Sequence, residues 1–172
     1  MTFEEIYDGH KDMVFNLSLN YVQNYEDAEE ITQDVFVSVY HSIEKFEEKS
    51  SITTWIYRIT INKSLDHIKA KNRKKRFGVI SVLLGIGDKK EPDVGHFNHP
   101  GVQLEQKDAI QNIFNCINEL PDNQKTALLL SKTEQMSQGE IAIIMNLSVK
   151  AVESLIQRAK TNLAKKLEDA EG

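Results

Sequence analysis

Residues 137–163, SQGEIAIIMNLSVKAVESLIQRAKTNL, leave the chain few ways to fold. Two helix starts are crowded into this stretch. Ser137 and Glu140 have the S-x-x-E spacing of a capping box, in which each side chain satisfies a free backbone N–H at a helix start. That helix has room to run only to about Met145. Asn146 follows, a residue that tolerates the left-handed conformation of a tight helix end. Ser148 then offers an N-cap for a second helix. Helix, three-residue turn and helix make a helix-turn-helix. Ile141, Ala142 and Met145 form the expected inner face of the first helix, Leu147 plugs the turn, and Val152, Leu155, Ile156 and Ala159 line the inside of the second. Lys150, Glu153, Ser154, Gln157 and Arg158 remain outside at helical spacing, carrying groups suited to base edges and phosphates in a major groove. An ordinary helical hairpin with a solvated face is the plainer alternative, and the agreement of cap, turn and spacing favours the DNA reader.

The rest of the 172-residue chain also reads as helix. It holds three prolines and eight glycines, and helical periodicity covers most of its length. The expected fold is all-α, with two small helical domains (1–77 and 102–172) joined by a flexible linker (78–101). Cys116 is the only cysteine, so no internal disulfide is possible and a small core residue is expected. No apolar run reaches the ~18 residues of a membrane span. The N-terminus lacks the layout of a signal peptide, so a cytoplasmic protein is expected. No nucleophile elbow, phosphate loop or acid–base pair argues for an enzyme, and no cofactor is implied. His96 and His99 stand alone in the linker, too few for a metal site.

A net charge of −5 looks wrong for a nucleic-acid binder, but its distribution matters more than its sum. Residues 1–48 carry twelve acids against Lys11 and Lys45; residues 49–76 carry nine bases against Asp66. Six of those bases fall within 69–76, where they repel one another unless an anion is near. Two partners of opposite sign are implied.

The first helix, from the Thr2/Glu5 capping-box spacing to about Val22, repeats Ile6, Met13, Val14, Leu17 and Tyr21. The second, from about Glu26 to Ile43, buries Ala28, Ile31, Val35, Val39 and Ile43, with Phe36 beside them. Its outer face presents Asp27, Glu30, Gln33 and Asp34, either as a dipole complement and solvated face or as a dock for a basic protein. After a loop at 46–53, a long helix over 53–76 is apolar on two sides: Ile52, Trp55, Ile56 and Ile59 on one, Tyr57, Ile61, Leu65 and Ile68 on the other. Such a helix is either sandwiched or keeps one face for something other than core. Aromatics interleaved with Arg58, Asn62, Lys63, Lys69 and Arg73 suit single-stranded nucleic acid, although Trp55 taken alone fits a core position slightly better. Beyond the linker, whose apolar run 79–86 is unusual, a helix over 103–118 is expected to bury Leu104, Ile110, Ile113, Phe114 and Ile117. Pro121 restarts the chain in a further helix to about Thr133.

Taken together, DAEEITQDVFVSVY (27–40), TTWIYRITINKSLDHIK (53–69), ELPDNQKTALLL (119–130) and the helix-turn-helix resemble the two-domain bacterial sigma factors of the extracytoplasmic-function (ECF) group. The resemblance covers nearly the whole chain outside the linker. It implies a non-enzymatic, dissociable subunit that binds core RNA polymerase, through its clamp and flap regions, and directs promoter-specific initiation. By position, Asp27, Glu30, Gln33 and Asp34 match the clamp-binding face. Residues 46–53, including Lys49 and Ser50, match the loop that accepts a flipped −10 base. Trp55, Arg58, Asn62 and Lys63 match the face holding melted −10 DNA, which reverses the reading of Trp55 as core, and Lys69 and Arg73 would meet duplex phosphates. Ser148, Lys150, Glu153, Ser154, Gln157 and Arg158 match the −35 reader. Glu153 and Leu155 stand where some members carry arginine, which implies a different −35 sequence; Glu153 suits a cytosine amino group. The family often pairs with an anti-sigma factor, and no stable homo-oligomer is implied. The alternative is a free-standing dimeric helix-turn-helix regulator on a palindromic site.

Overall fold

Thr2 opens the first helix as its spacing predicts. Its Oγ1 accepts from the Glu5 N–H at 3.2 Å, and Glu5 Oε2 accepts from the Thr2 N–H at 2.7 Å. In the computed structural model, which describes residues 1–47, 49–86 and 106–172, every regular element is helical. Helix α1 (Phe3–Val22) ends at Gln23, whose φ of 51° is left-handed. Helix α2 (Tyr25–Ser42) starts one residue later, where Asn24 Oδ1 accepts from the Asp27 N–H at 2.9 Å. So short a connection folds α2 back onto α1. A single 3-10 turn (Ile43–Lys45) follows, and Ser51 caps helix α3 (Ile52–Leu83).

The end of α3 departs from expectation. The helical pattern was expected to break after Phe77, but the helix continues through Gly78 to Leu83 and closes at Gly85, whose φ is +67°. One glycine inside a helix costs only about 1 kcal/mol relative to alanine, too little by itself to stop a helix already running through 52–77. The extension leaves Phe77, Val79, Ile80, Val82, Leu83, Leu84 and Ile86 exposed. The rest of the expected linker, with His96 and His99, lies outside the described residues, as does the expected helix start at 103 with Leu104.

Four helices follow: α4 (Lys107–Asn118), α5 (Asp122–Lys132), α6 (Gln138–Met145) and α7 (Val149–Glu171). Pro121 stands immediately before α5, as its missing N–H allows. In α4, Cys116 and Ile117 are buried, whereas Ile113, expected inside, is exposed. A helix packed on one side can bury only part of a wide apolar stripe, and α4 turns Cys116 inward instead.

Two hydrophobic clusters hold the helices. The first joins α1, α2 and α3 through Ile6, Val14, Ile31, Val35, Phe36, Val39 and Ile56. Phe3 and Tyr7 lie edge-on to Phe36 at its margin, with ring centroids 6.4 and 4.7 Å away. The second runs from Leu17 and Tyr21 of α1 and Tyr57 and Ile61 of α3 into Leu120, Ala127, Leu128, Leu129, Leu130, Ile141, Ile144, Val152, Ile156 and Ala159. Each fully buried large aliphatic side chain contributes about 1.5–3 kcal/mol. The two apolar sides of α3 are therefore explained by sandwiching: one faces its own helical hairpin, the other the helices that follow. The two domains share this second core.

Candidate nucleic-acid interface

The helix-turn-helix assembles from local chemistry. Ser137 Oγ accepts from the Glu140 N–H at 3.2 Å, and Glu140 Oε2 accepts from the Ser137 N–H at 2.8 Å. The Ser137 N–H and hydroxyl, both donating to the Glu140 carboxylate, hold it below the usual carboxylate range. Asn146 takes φ 54°, closing α6 in the left-handed conformation its side chain permits. Ser148 caps α7 by accepting from the Ala151 N–H at 3.1 Å. Val152, Ile156 and Ala159 are buried, Leu155 is half-buried, and Lys150, Glu153, Gln157 and Arg158 are exposed, with Ser154 at the boundary. Two details differ from the expected packing. Ile144 is buried and Met145 only half-buried, because α3 lies against that side of α6; Leu147 is exposed at the rim of a cleft instead of plugging the turn.

The acidic face of α2 divides in two. Glu30, Gln33 and Asp34 are exposed. Asp27 is not free: its carboxylate accepts from Lys71 Nζ at 2.6 Å and lies 3.3 Å from His67 Nε2. Asp27 therefore ties α2 to α3. Asp27, Glu30 and His67 bring potential metal-ligating atoms within 4.8 Å of one another. The Lys71 ammonium already neutralises that carboxylate and disfavours a cation there.

Along α3 the expected nucleic-acid residues face different surroundings. Trp55 is half-buried at the edge of the first cluster, its ring 5.0 Å from that of Phe46. Asn62, Lys69 and Arg73 are exposed, and Lys63 is partly covered. Lys69 pairs with Asp122 at 2.8 Å, which raises its pKa. Lys49 pairs with Glu47 on the preceding loop. Arg58 turns toward α6, its Nε donating to the Ile144 carbonyl at 2.8 Å and its Nη2 to the Ile143 carbonyl at 2.6 Å. Lys49, Ser50, Arg58 and Ser148 thus line one cleft, together with Ile143 and Asn146. Lys150, Glu153, Ser154, Gln157 and Arg158 do not line it.

Sequence reasoning had no signal for the bonds between the two halves. Tyr21 Oη and Thr126 Oγ1 lie 2.6 Å apart in a buried contact. Asn20 donates to Glu134 at 3.2 Å and Asn118 to Gln23 at 3.3 Å. Burial pushes the Tyr57 hydroxyl up to about 12, with Glu134 and Glu140 adding to the shift, and burial also raises Glu134. Burial lowers Lys125, against the pull of Asp122.

Comparison with known proteins follows the same division. The sigma-70 region 2 family matches residues 6–74, and the sigma-70 region 4 family matches residues 110–163. The ECF RNA polymerase sigma factor SigW of Bacillus subtilis is 29% identical, over 97% of this chain and 89% of that protein. The ECF RNA polymerase sigma-E factor of Haemophilus influenzae is also 29% identical, over 96% of this chain and 87% of that protein. Two solved structures share the fold. The sigma factor RpoE of Bartonella quintana, crystallised with the anti-sigma factor NepR, gives a TM-score of 0.63 at 17% identity and covers 96% of both chains. CnrH in complex with the cytosolic domain of CnrY gives 0.61 at 22% identity, over 99% of this chain and 89% of that one. With region 2 on α1 to α3, region 4 on α4 to α7 and relatives aligned over nearly its whole length, the chain belongs to the ECF group of RNA polymerase sigma factors.

Proposed function

We propose that this sigma factor docks on the polymerase clamp through Glu30, Gln33 and Asp34, captures melted −10 DNA on α3, and reads −35 duplex with α7. Residues 1–77 then act as the docking and melting unit and 102–172 as the −35 unit, which would also meet the flap. The observation that carries the reading is the exposed acid and amide row on α2, which no basic group of the described chain neutralises at Glu30 or Asp34. Asp27 enters this reading as a support, since its carboxylate is held by Lys71 and His67. On α3, Asn62 and Lys63 would contact the displaced strand and Trp55 would stack on a base, with Lys49 and Ser50 beside a flipped base. Stacking of about 1–3 kcal/mol per base offsets part of the cost of opening the duplex. Lys69 and Arg73 would follow duplex phosphates. On α7, Lys150, Ser154, Gln157 and Arg158 would enter the major groove with Glu153, and Ser148 would fix the helix start.

An anti-sigma partner is included, since the Bartonella quintana sigma factor of the same fold was captured with one. The test is reconstitution with core polymerase. Glu30→Lys or Asp34→Lys should weaken core binding without loss of helix content, and unchanged affinity would refute the docking face. Trp55→Ala or Asn62→Ala should spare core binding but reduce permanganate reactivity of −10 thymines. Light scattering should give a monomer; a dimer would refute the absence of a stable homo-oligomer.

A further inference from the structure

We propose, independently of the promoter reading, that the exposed end of α3 is a membrane-surface anchor. Phe77 to Ile86 enter one leaflet of an anionic bilayer while Arg73, Lys74, Lys75 and Arg76 meet its headgroups. From His67 to Ile86 the sequence holds no acid. Lys69 and Lys71 are already paired, with Asp122 and Asp27. Arg73, Lys74, Lys75 and Arg76 are exposed, and no ion pair among the described residues reaches them. Consecutive like charges repel one another until an anionic surface faces them. Acidic lipid headgroups supply such a surface, with an attraction confined to about a Debye length.

The apolar side chains that follow decide which anion fits. Phe77, Val79, Ile80, Val82, Leu83 and Ile86 are exposed. Nucleic-acid phosphates would satisfy the bases and leave these side chains in water. On a helix turning about 100° per residue, Phe77, Val79, Ile80, Val82 and Leu83 spread over more than half the circumference, and only Gly78 and Ser81 fall in the gap. A helix laid in a groove on one protein needs an apolar stripe of little more than about 100°, whereas lipid surrounds a helix on every side. The length fits as well. Phe77 to Leu83 rise about 10 Å, close to the depth of about 5–10 Å that an interfacial helix reaches. No helix among the described residues is long and apolar enough to cross a membrane, so the end of α3 dips into a bilayer without spanning it.

The test mixes full-length protein with sedimentable vesicles of equal parts phosphatidylglycerol and phosphatidylcholine, and with vesicles of phosphatidylcholine alone. Wild type should sediment with the first, far less with the second, and less with the first as salt rises. Lys74→Gln/Lys75→Gln should lower the partition coefficient about tenfold. Ile80→Glu/Leu83→Glu, at two exposed positions, should lower it at least as far with helix content by circular dichroism unchanged. A bimane label on Leu83→Cys, in a Cys116→Ala background, should be quenched by brominated lipid, and one on the exposed Lys160→Cys should not. Failure of wild type to bind the anionic vesicles overturns the proposal. Binding that survives Ile80→Glu/Leu83→Glu is adsorption of the bases alone and overturns insertion. Equal binding to both kinds of vesicle overturns the role of the bases. If core polymerase shields Leu83→Cys from labelling and the vesicles do not, this surface belongs to a protein partner and the anchor is refuted.

Discussion

Replacing Asp27 by asparagine should separate support from docking on the acidic helix. The Asp27 carboxylate is 18% exposed and is shared by Lys71 and His67 of α3. Asparagine keeps the shape, removes the charge and weakens both contacts. An exposed ion pair contributes about 0.2–1 kcal/mol, whereas breaking a buried one costs 3–5 kcal/mol. This pair lies between those limits, since Lys71 is 32% exposed. Loss of the favourable charge in the first turn of α2 adds a few tenths of a kcal/mol. A total near 1.5 kcal/mol corresponds to a fall in Tm of roughly 3–6 °C for a chain of this size. Thermal unfolding by circular dichroism at low and high salt checks it, with the smaller fall expected at high salt. Core-polymerase affinity of the folded variant should stay close to wild type, while Glu30→Lys should show the reverse pattern. An unchanged Tm together with weakened core binding would refute the reasoning, because Asp27 would then be a contact residue and its bridge to α3 incidental.

Three further outcomes are expected. Ser137→Ala removes the cap of α6 and should cost about 1 kcal/mol of stability, read by denaturant unfolding, with weaker binding to −35 duplex. Tyr57 holds its proton up to about 12 in the folded chain but would lose it near 10 when exposed; stability should therefore fall as pH climbs from 10 toward 12, in step with a late phase in tyrosinate absorbance. Lys125 is buried and its pKa is lowered, so the unfolded chain binds the extra proton and stability should rise with pH below the ordinary lysine value of 10.5. Lys125→Met should remove that slope and raise stability at neutral pH by about 1 kcal/mol.

What the residues disclose about the fold depends on the range of the interaction. Both capping boxes, the left-handed Asn146 and the Ser148 cap were readable because each is settled within a few residues. The inner faces of α1 and α2 follow from periodicity alone. Errors begin where a neighbour decides. Gly78 looked like a stop because composition changes there, yet its single-residue cost is small. Leu147 and Ile113 were placed inside on pattern, and Ile144 was not, because only the position of α3 and the other helices fixes which part of each stripe is covered. The same limit holds for the site. Residue types on α2, α3 and α7 marked the candidate positions. That Asp27 is tied down, and that Arg58 reaches the end of α6, depends on contacts 44 and 86 residues apart in sequence.

The apolar end of α3 bears on how much of this protein a cell can keep unpartnered. Phe77, Leu83 and Ile86 are each about three-quarters exposed, directly after a run of four bases. A contiguous apolar surface of that kind marks a site for a protein or membrane partner and, left uncovered, presents a target to quality-control proteases. Supply in excess of its binding partners should then shorten the protein's lifetime instead of raising its working concentration. The same ten residues would thereby tie dosage to partner abundance through turnover.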